Sequence, residues 1–192
     1  MKKRLIQAKN FFKMSCDFKY DLLKIRNKVE LRKWMKTSKK ISDNEYINWI
    51  NEIKLQKTMP FALTEDDKAC GLFHFSKVNH QNKTCKWHFY VDTSLYGTGV
   101  GQVVEFHMID FGFNELGFEK QNVDIVEGNI EAQRLHEKFN FKYEGYRREE
   151  LKRGRSRIGV YEFGLTRSEW KAERGNIAKK IESFQLFDFK IL

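Results

Sequence analysis

The stretch from Tyr90 to Glu105 constrains this chain more than any other: Tyr90-Val91-Asp92-Thr93-Ser94-Leu95-Tyr96-Gly97-Thr98-Gly99-Val100-Gly101-Gln102-Val103-Val104-Glu105. It reads as the end of a strand, a glycine-rich turn and the start of a long helix. Glycine has no side chain to pack, so three of them at alternate positions serve a backbone that takes positive φ or lets a ligand come close. A helix opening directly from such a turn aims its unpaired N–H groups, and the positive end of its dipole, into the loop. That arrangement suits a pyrophosphate. Taken alone, the glycines fit a flexible strand-to-helix connection equally well.

The 192 residues suit one domain with a sizeable core. Aromatic residues make up 15% and proline occurs once, which argues for an ordered fold throughout. No apolar run approaches the roughly 20 residues that span a bilayer. After the basic start Met1-Lys2-Lys3-Arg4, the residues Gln7, Lys9 and Asn10 interrupt any signal-peptide core. The expected location is the cytosol, with no membrane partner. Cys16, Cys70 and Cys85 are odd in number and widely spaced, so neither a disulfide framework nor a zinc site is written here. The net charge of +10 raises nucleic acid as a partner. The cations are spread along the chain and interleaved with acids, as in Arg147-Arg148-Glu149-Glu150, so a solvated surface accounts for most of them. The same charge attracts small phosphate-bearing anions, and no nucleic-acid partner is expected.

The periodicity predicts a first strand near Lys9–Met14 and a helix capped by Asp17 that carries Leu22, Leu23 and Ile25. Ser42-Asp43-Asn44-Glu45 has capping-box spacing and opens a second helix. Phe61–Thr64, Gly71–Val78 and Cys85–Val91 read as an antiparallel meander, followed by the glycine turn and a helix over Val100–Leu116. A strand at Gln121–Val126, a helix at Ile130–Lys138 and a hairpin of Tyr143–Glu150 with Arg157–Leu165 complete the pattern. Thr166-Arg167-Ser168-Glu169 is a second capping box, so a C-terminal helical extension starts at about residue 167. The expectation is a single α/β (α+β) domain over 1–192 with a mostly antiparallel central sheet flanked by helices.

A dinucleotide-binding fold needs its glycine turn early in a parallel sheet, with an acid about 20 residues on. Asp124 has a suitable spacing, but three antiparallel strands precede the turn, so that fold is excluded. Strand, glycine turn, helix, strand, then Asn-x-x-Ala and a further helix instead resembles the acetyl-coenzyme A-binding half of the GNAT N-acetyltransferases. Their Gln/Arg-x-x-Gly-x-Gly/Ala pattern falls on Tyr96–Gly101, with Tyr96 replacing the leading Gln or Arg. The downstream element matches at Asn129, Ala132, Leu135 and Phe141, with His136 where Tyr is usual and Asn140 in place of Gly. Ile25-Arg26-Asn27 with Trp34-Met35, Trp87–Val91, Leu135–Phe139, Glu144–Arg148 and Phe163–Leu165 are similar to one branch of that family. That branch acetylates the 4-amino group of UDP-4-amino-4,6-dideoxy-N-acetyl-β-L-altrosamine, a step of pseudaminic acid biosynthesis for flagellin glycosylation.

The resemblance implies acetyl-CoA as co-substrate, held by Phe89, Tyr90, Val91, Tyr96, Gly97, Thr98, Gly99, Val100, Gly101, Gln102, Asn129 and Ala132. It implies an acceptor pocket built from Arg26, Asn27, Trp34, Met35, His88 and Tyr90, with Trp34 stacking on the acceptor and Arg26 pairing with phosphate. Direct attack in a ternary complex needs a neutral amine and a proton for the departing thiolate. His136 is the candidate donor, Glu127 a candidate proton acceptor through water, and His88 either a base or a sugar-hydroxyl contact. Each also has a plain reading: a helix histidine, a strand-end carboxylate and a core histidine. His74, His80 and His107 carry no signal, and no metal is expected. Three other functions remain open: acetylation of another nucleotide amino sugar (legionaminic or viosamine type), N-terminal acetylation of the ribosomal-protein type, and a non-catalytic basic module for nucleic acid or protein. The apolar tail with Phe184, Leu186, Phe187, Phe189 and Ile191 packs either on the domain or on a second copy, as a homodimer.

Overall fold

The computed structural model describes residues 2–56 and 58–192. In chain order the strands are β1 (Arg4–Asn10), β2 (Met59–Glu65), β3 (Lys68–Asn79), β4 (Thr84–Val91), β5 (Lys120–Val126), β6 (Lys142–Arg153), β7 (Ser156–Thr166) and β8 (Phe187–Ile191). The helices are α1 (Cys16–Arg26), α2 (Val29–Arg32), α3 (Asp43–Leu55), α4 (Val100–Asn114), α5 (Ile130–Lys138) and α6 (Arg167–Lys180). All eight strands form one sheet in the order β6-β7-β5-β4-β3-β2-β1-β8. Two neighbouring pairs, β4–β5 and β1–β8, are parallel and the remainder antiparallel.

Side chains alternate across each strand, and the two sheet faces carry separate cores. One face meets α1–α3 through Phe11, Leu22, Leu23, Ile25, Leu31, Tyr46 and Ile53, which pack on Ala62, Leu72 and Tyr90. The other buries Phe73, Phe75, Trp87 and Val123 under α4, α5 and α6. α4 is enclosed on nearly every side: Val100, Val103, Val104, Phe106, Met108, Ile109 and Phe113 are all buried. A helix apolar all round needs cover on its far side, and the residues after α6 supply it. Phe184 packs edge-on against Phe106, and Phe189 stacks on His107.

Both expected capping boxes are present, at Ser42/Glu45 and Thr166/Glu169. Four expectations are corrected. The first strand is Arg4–Asn10, because Ile6 and Ala8 face the core, and Phe11–Lys13 turn instead in a 3-10 helix. Ser15 caps α1, its side chain accepting from Phe18 N–H, so Asp17 lies inside the first turn. α4 stops at Asn114, two residues short of Leu116. The extension after residue 167 is a helix and then a strand: β8 pairs in parallel with β1, placing the apolar tail on its own sheet.

His74 on β3 is 3% exposed, wedged between Trp49 and His88, and neither ring nitrogen has a partner among the described residues. Burial, aided by His88, lowers its pKa to about 3. The unfolded chain therefore takes up a proton near pH 6.5 that the folded chain refuses. The contribution is complete above that pH and is lost as pH falls toward 3, at about 1.4 kcal/mol per pH unit. Wild-type protein should lose about 2 kcal/mol more than His74→Phe between pH 7 and pH 5 in urea titrations. Equal losses would place the acid sensitivity elsewhere.

Candidate active site

The parallel ladder of β4 and β5 is short. It runs from Thr84–Lys120 to Trp87–Val123 and stops. Beyond it, His88–Val91 stay paired with β3 and Asp124–Val126 with β7, so the two strands part and leave a slot in the sheet. The glycine turn closes the β4 side of that slot. Asp92 steadies its entrance, accepting from Ser94 N–H at 2.9 Å and from Lys28 Nζ at 2.7 Å.

Gly97 and Gly99 take φ of 76° and 83°, and Gly99 is the N-cap of α4 without any side-chain cap. The Thr98 N–H goes to Leu95 O and the Gln102 N–H to Gly99 O. No acceptor among the described residues meets the N–H of Gly97, Gly99 or Gly101. Uncapped amides at the positive end of a 15-residue helix are what a pyrophosphate needs. Tyr96 stands exposed at the edge of the turn, and Val100 is buried beneath it. A Cβ on Gly101 would lie 3.7 Å from Leu135 and 4.0 Å from Phe89, so the turn, β4 and α5 meet.

α5 starts at Asn129, whose side-chain oxygen caps it by accepting from the N–H of half-buried Ala132 at 3.3 Å. Near its other end lies His136, buried, with Nδ1 2.7 Å from Oε1 of Glu105. Trp87 and Phe141 flank the imidazole at 5.4 and 5.5 Å between ring centroids. Glu105 itself is fully buried on α4. Sequence reasoning missed it, although it is the sole charged residue between Val100 and Met108.

The opposite face of the slot is charged. His88 reaches solvent yet is crowded by protein, as on the floor of a cleft. Desolvation and then Lys36 lower its pKa to about 4, against a pull upward from Asp124. Asp124 collects Lys86 at 2.5 Å, Lys36 at 2.9 Å and Arg147 at 3.2 Å. Although burial opposes it, hydrogen bonds from the two lysines hold its carboxyl down at about 2. Trp34 comes within 3.8 Å of a Cβ placed on Gly128, just past the end of β5. Arg153 ties that segment to the β6–β7 hairpin by donating to the Met35 and Lys36 carbonyls.

Other expected acceptor residues lie elsewhere. Arg26 is 7% exposed and donates to Thr37 O and Lys39 O, so its guanidinium is occupied in holding a loop and cannot pair with a ligand phosphate. Asn27 does the same through Ile41, giving to its C=O and accepting from its N–H at 2.8 Å each. Met35 packs on the α1–α3 core, and Tyr90 is buried there with its hydroxyl toward Leu22 O. Tyr90 reaches the slot through its main chain alone. Glu127 is engaged too: its carboxylate accepts from Gly159 N–H at 2.7 Å, bracing β5 against β7. Among the described residues no group of three or more His, Cys, Asp or Glu could hold a metal ion.

The last residues before β8 touch the turn. A Cβ on Gly99 would come within 2.6 Å of the Ser183 Cβ, whereas one on Gly97 meets nothing within 4 Å. Gly97→Ala should cost about 1–2 kcal/mol for positive φ alone and keep coenzyme A binding measurable by calorimetry. Gly99→Ala must also push Ser183 away and should lose that binding. Equal affinities for the two variants would refute the cradle.

The acetyltransferase (GNAT) domain family model matches residues 17–142. The chain is 25% identical over 138 residues to "Acetyltransferase PseH" of Campylobacter jejuni subsp. jejuni serotype O:23/36 (strain 81-176), covering 71% of this chain and 85% of that one. It is 27% identical over 136 residues to the SPbeta prophage-derived uncharacterized N-acetyltransferase YokL of Bacillus subtilis (strain 168), covering 70% and 76%. In three dimensions it resembles the Vibrio cholerae spermidine N-acetyltransferase in complex with CoA and spermine, with a TM-score of 0.77 at 15% identity over 86% of this chain and 98% of that one. Mycobacterium smegmatis RimJ in complex with CoA-disulfide gives a TM-score of 0.71 at 15% identity, over 87% of each chain. With its glycine turn, parted strands and α5 in this arrangement, the chain belongs to the GNAT family and is an acetyl-CoA-dependent N-acetyltransferase.

Proposed function

We propose that the acceptor is the primary amine of a nucleotide-linked sugar, in the first instance the 4-amino group of a UDP-linked 4-amino-4,6-dideoxy sugar of the pseudaminic acid pathway. The observation that carries this reading is the cationic rim on the His88 side of the slot. Lys33, Lys36, Lys39 and Lys40 lie in the segment that Arg153 ties to the hairpin, whose tip adds Lys152, Arg155 and Arg157. Cations of this density recognise a diphosphate and repel a polyamine. Trp34 beside them offers an aromatic face to a base or sugar. Similarity to the sugar-nucleotide branch at Ile25–Met35 and to the Campylobacter jejuni relative supports the same choice.

In this reading the glycine-turn amides hold the coenzyme's pyrophosphate, and Asn129 keeps its side-chain NH2 for the same ligand. The acceptor enters from the face carrying His88. Main-chain N–H groups of Phe89 and Val91, which face the side where β5 has parted, donate to the oxyanion that develops as the amine attacks. His88, neutral above about pH 4, is too weak a base to deprotonate an ammonium and hydrogen-bonds a sugar hydroxyl instead. The amine's proton leaves through water. Glu105 occupies Nδ1 of His136, so Nε2 is the nitrogen that protonates the departing thiolate.

Free-thiol release should be measured with UDP-, GDP- and dTDP-linked 4-amino sugars and with spermidine. The UDP-linked 4-amino-4,6-dideoxy sugar should give the highest kcat/KM and spermidine none. Turnover with spermidine but with no amino-sugar nucleotide would overturn the proposal. His136→Phe should lower kcat by about a hundredfold while coenzyme A binding stays within twofold of wild type. Unchanged turnover would remove His136 from the chemistry.

A further inference from the structure

We propose that Glu105 is the positioning residue of a carboxylate–imidazole dyad, holding His136 with its Nδ1–H on the carboxylate so that Nε2 is presented to the departing thiolate. The inference rests on the acetyltransfer reading of His136 given above and adds a second residue to it. Four observations carry it.

A carboxylate with no exposure, in the second turn of a largely buried helix, is costly to keep unless it is paired. Its one partner is His136, at 2.7 Å, while its second oxygen has none among the described residues. A carboxylate serving only to fill the core would be replaced at little cost by Gln or Leu. Next, the pair sits where the chemistry falls. Trp87, which touches the imidazole, is the last β4 residue in register with β5 before the strands part. Leu135, adjacent to His136, lies under Gly101 of the turn. Third, Glu105 belongs to the helix whose first turn forms the coenzyme cradle, so the cradle and the carboxylate that orients the proton donor are fixed to one rigid element. Lastly, His136 lies in the last turn of α5, so the helix backbone fixes the imidazole opposite Glu105.

The surroundings leave the pair isolated electrically. β4 presents Trp87 to it, and buried Cys85 on the same strand face stays a neutral thiol because burial pushes its pKa up. The residue before β6 presents Phe141. His88 points to the other face of β4. Burial raises the Glu105 carboxyl, and His136 is the sole group acting against that rise.

The step balances without a further reactant. As the amine's N–C bond forms and the C–S bond breaks, the Nε2–H bond of the imidazolium breaks and the coenzyme S–H bond forms. The imidazole keeps its Nδ1–H on the Glu105 carboxylate and is reprotonated from solvent. Losing the carboxylate makes the imidazolium a stronger acid, so the fraction holding the donated proton falls at lower pH.

The test is the pH profile of kcat for wild type, Glu105→Gln, His136→Phe and the double variant. Glu105→Gln should shift the alkaline limb down by about one unit and lower kcat at pH 8 about tenfold, with the KM for acetyl-CoA within twofold. In the His136→Phe background the same change should cost nothing further. A Glu105→Gln enzyme with wild-type coenzyme binding and an unmoved limb overturns the dyad. If Glu105→Gln fails to fold, the profile of His136→Phe decides: an alkaline limb that persists without His136 also overturns it. A His136→Phe enzyme of wild-type turnover would instead sink the underlying reading, so the two failures are distinguishable.

Discussion

The brief parallel ladder between β4 and β5 is the constraint on which the rest of the molecule depends. Parallel neighbours cannot be joined by a tight turn; the chain must cross over, and here it does so through α4. Because the pairing lasts only from Thr84–Lys120 to Trp87–Val123, the crossover starts beside strand ends that have already separated. One event of register thus produces the opening in the sheet and the helix N-terminus beside it. The residues around it are braced accordingly. Lys28 fastens Asp92 at the end of β4, and Glu127 clamps the end of β5 to Gly159 on β7.

β4 also divides the labour between the two faces of the sheet. Its odd residues Cys85, Trp87 and Phe89 face the apolar side, where α4 and α5 bring Glu105 and His136 together. Its even residues Lys86 and His88 face the charged side with Asp124 and Lys36. A low-dielectric environment strengthens the Glu105–His136 hydrogen bond on one face. On the other face, ion pairs with Asp124 partly offset an excess of cations. The strand between them keeps the Glu105–His136 pair apart from the charged groups around Asp124, so neither set can neutralise the other directly.

How much of this was readable in the sequence follows from the range of the interactions. The two capping boxes, the α5 boundaries and the glycine turn depend on residues within a few positions of each other, and they appear as expected. β1 was shifted because Arg4–Asn10 is short and flanked by charge; its identity as a strand comes from pairing with residues 61–65 and 187–191. Trp34 lies near Gly128, just past the end of β5. Arg26 and Asn27, eight and seven residues earlier, were assigned to ligand by resemblance, but the backbone of 37–41 consumes their donors. Glu105 gave a readable signal, the one acidic residue between Val100 and Met108. Its partner lies 31 residues away, where no periodicity points.

The pairing of β8 with β1 has a consequence for how copies of this chain meet one another in concentrated solution. Without that strand, β1 would offer an unpaired row of backbone groups alongside Leu5, Ile6 and Ala8, a template on which another sheet could grow. Phe187–Ile191 covers it with a strand of only five residues whose Asp188 and Lys190 face solvent. The new border is short, carries charges of both signs and makes a poor template. The same tail that shields α4 thereby guards the sheet against edge-to-edge aggregation.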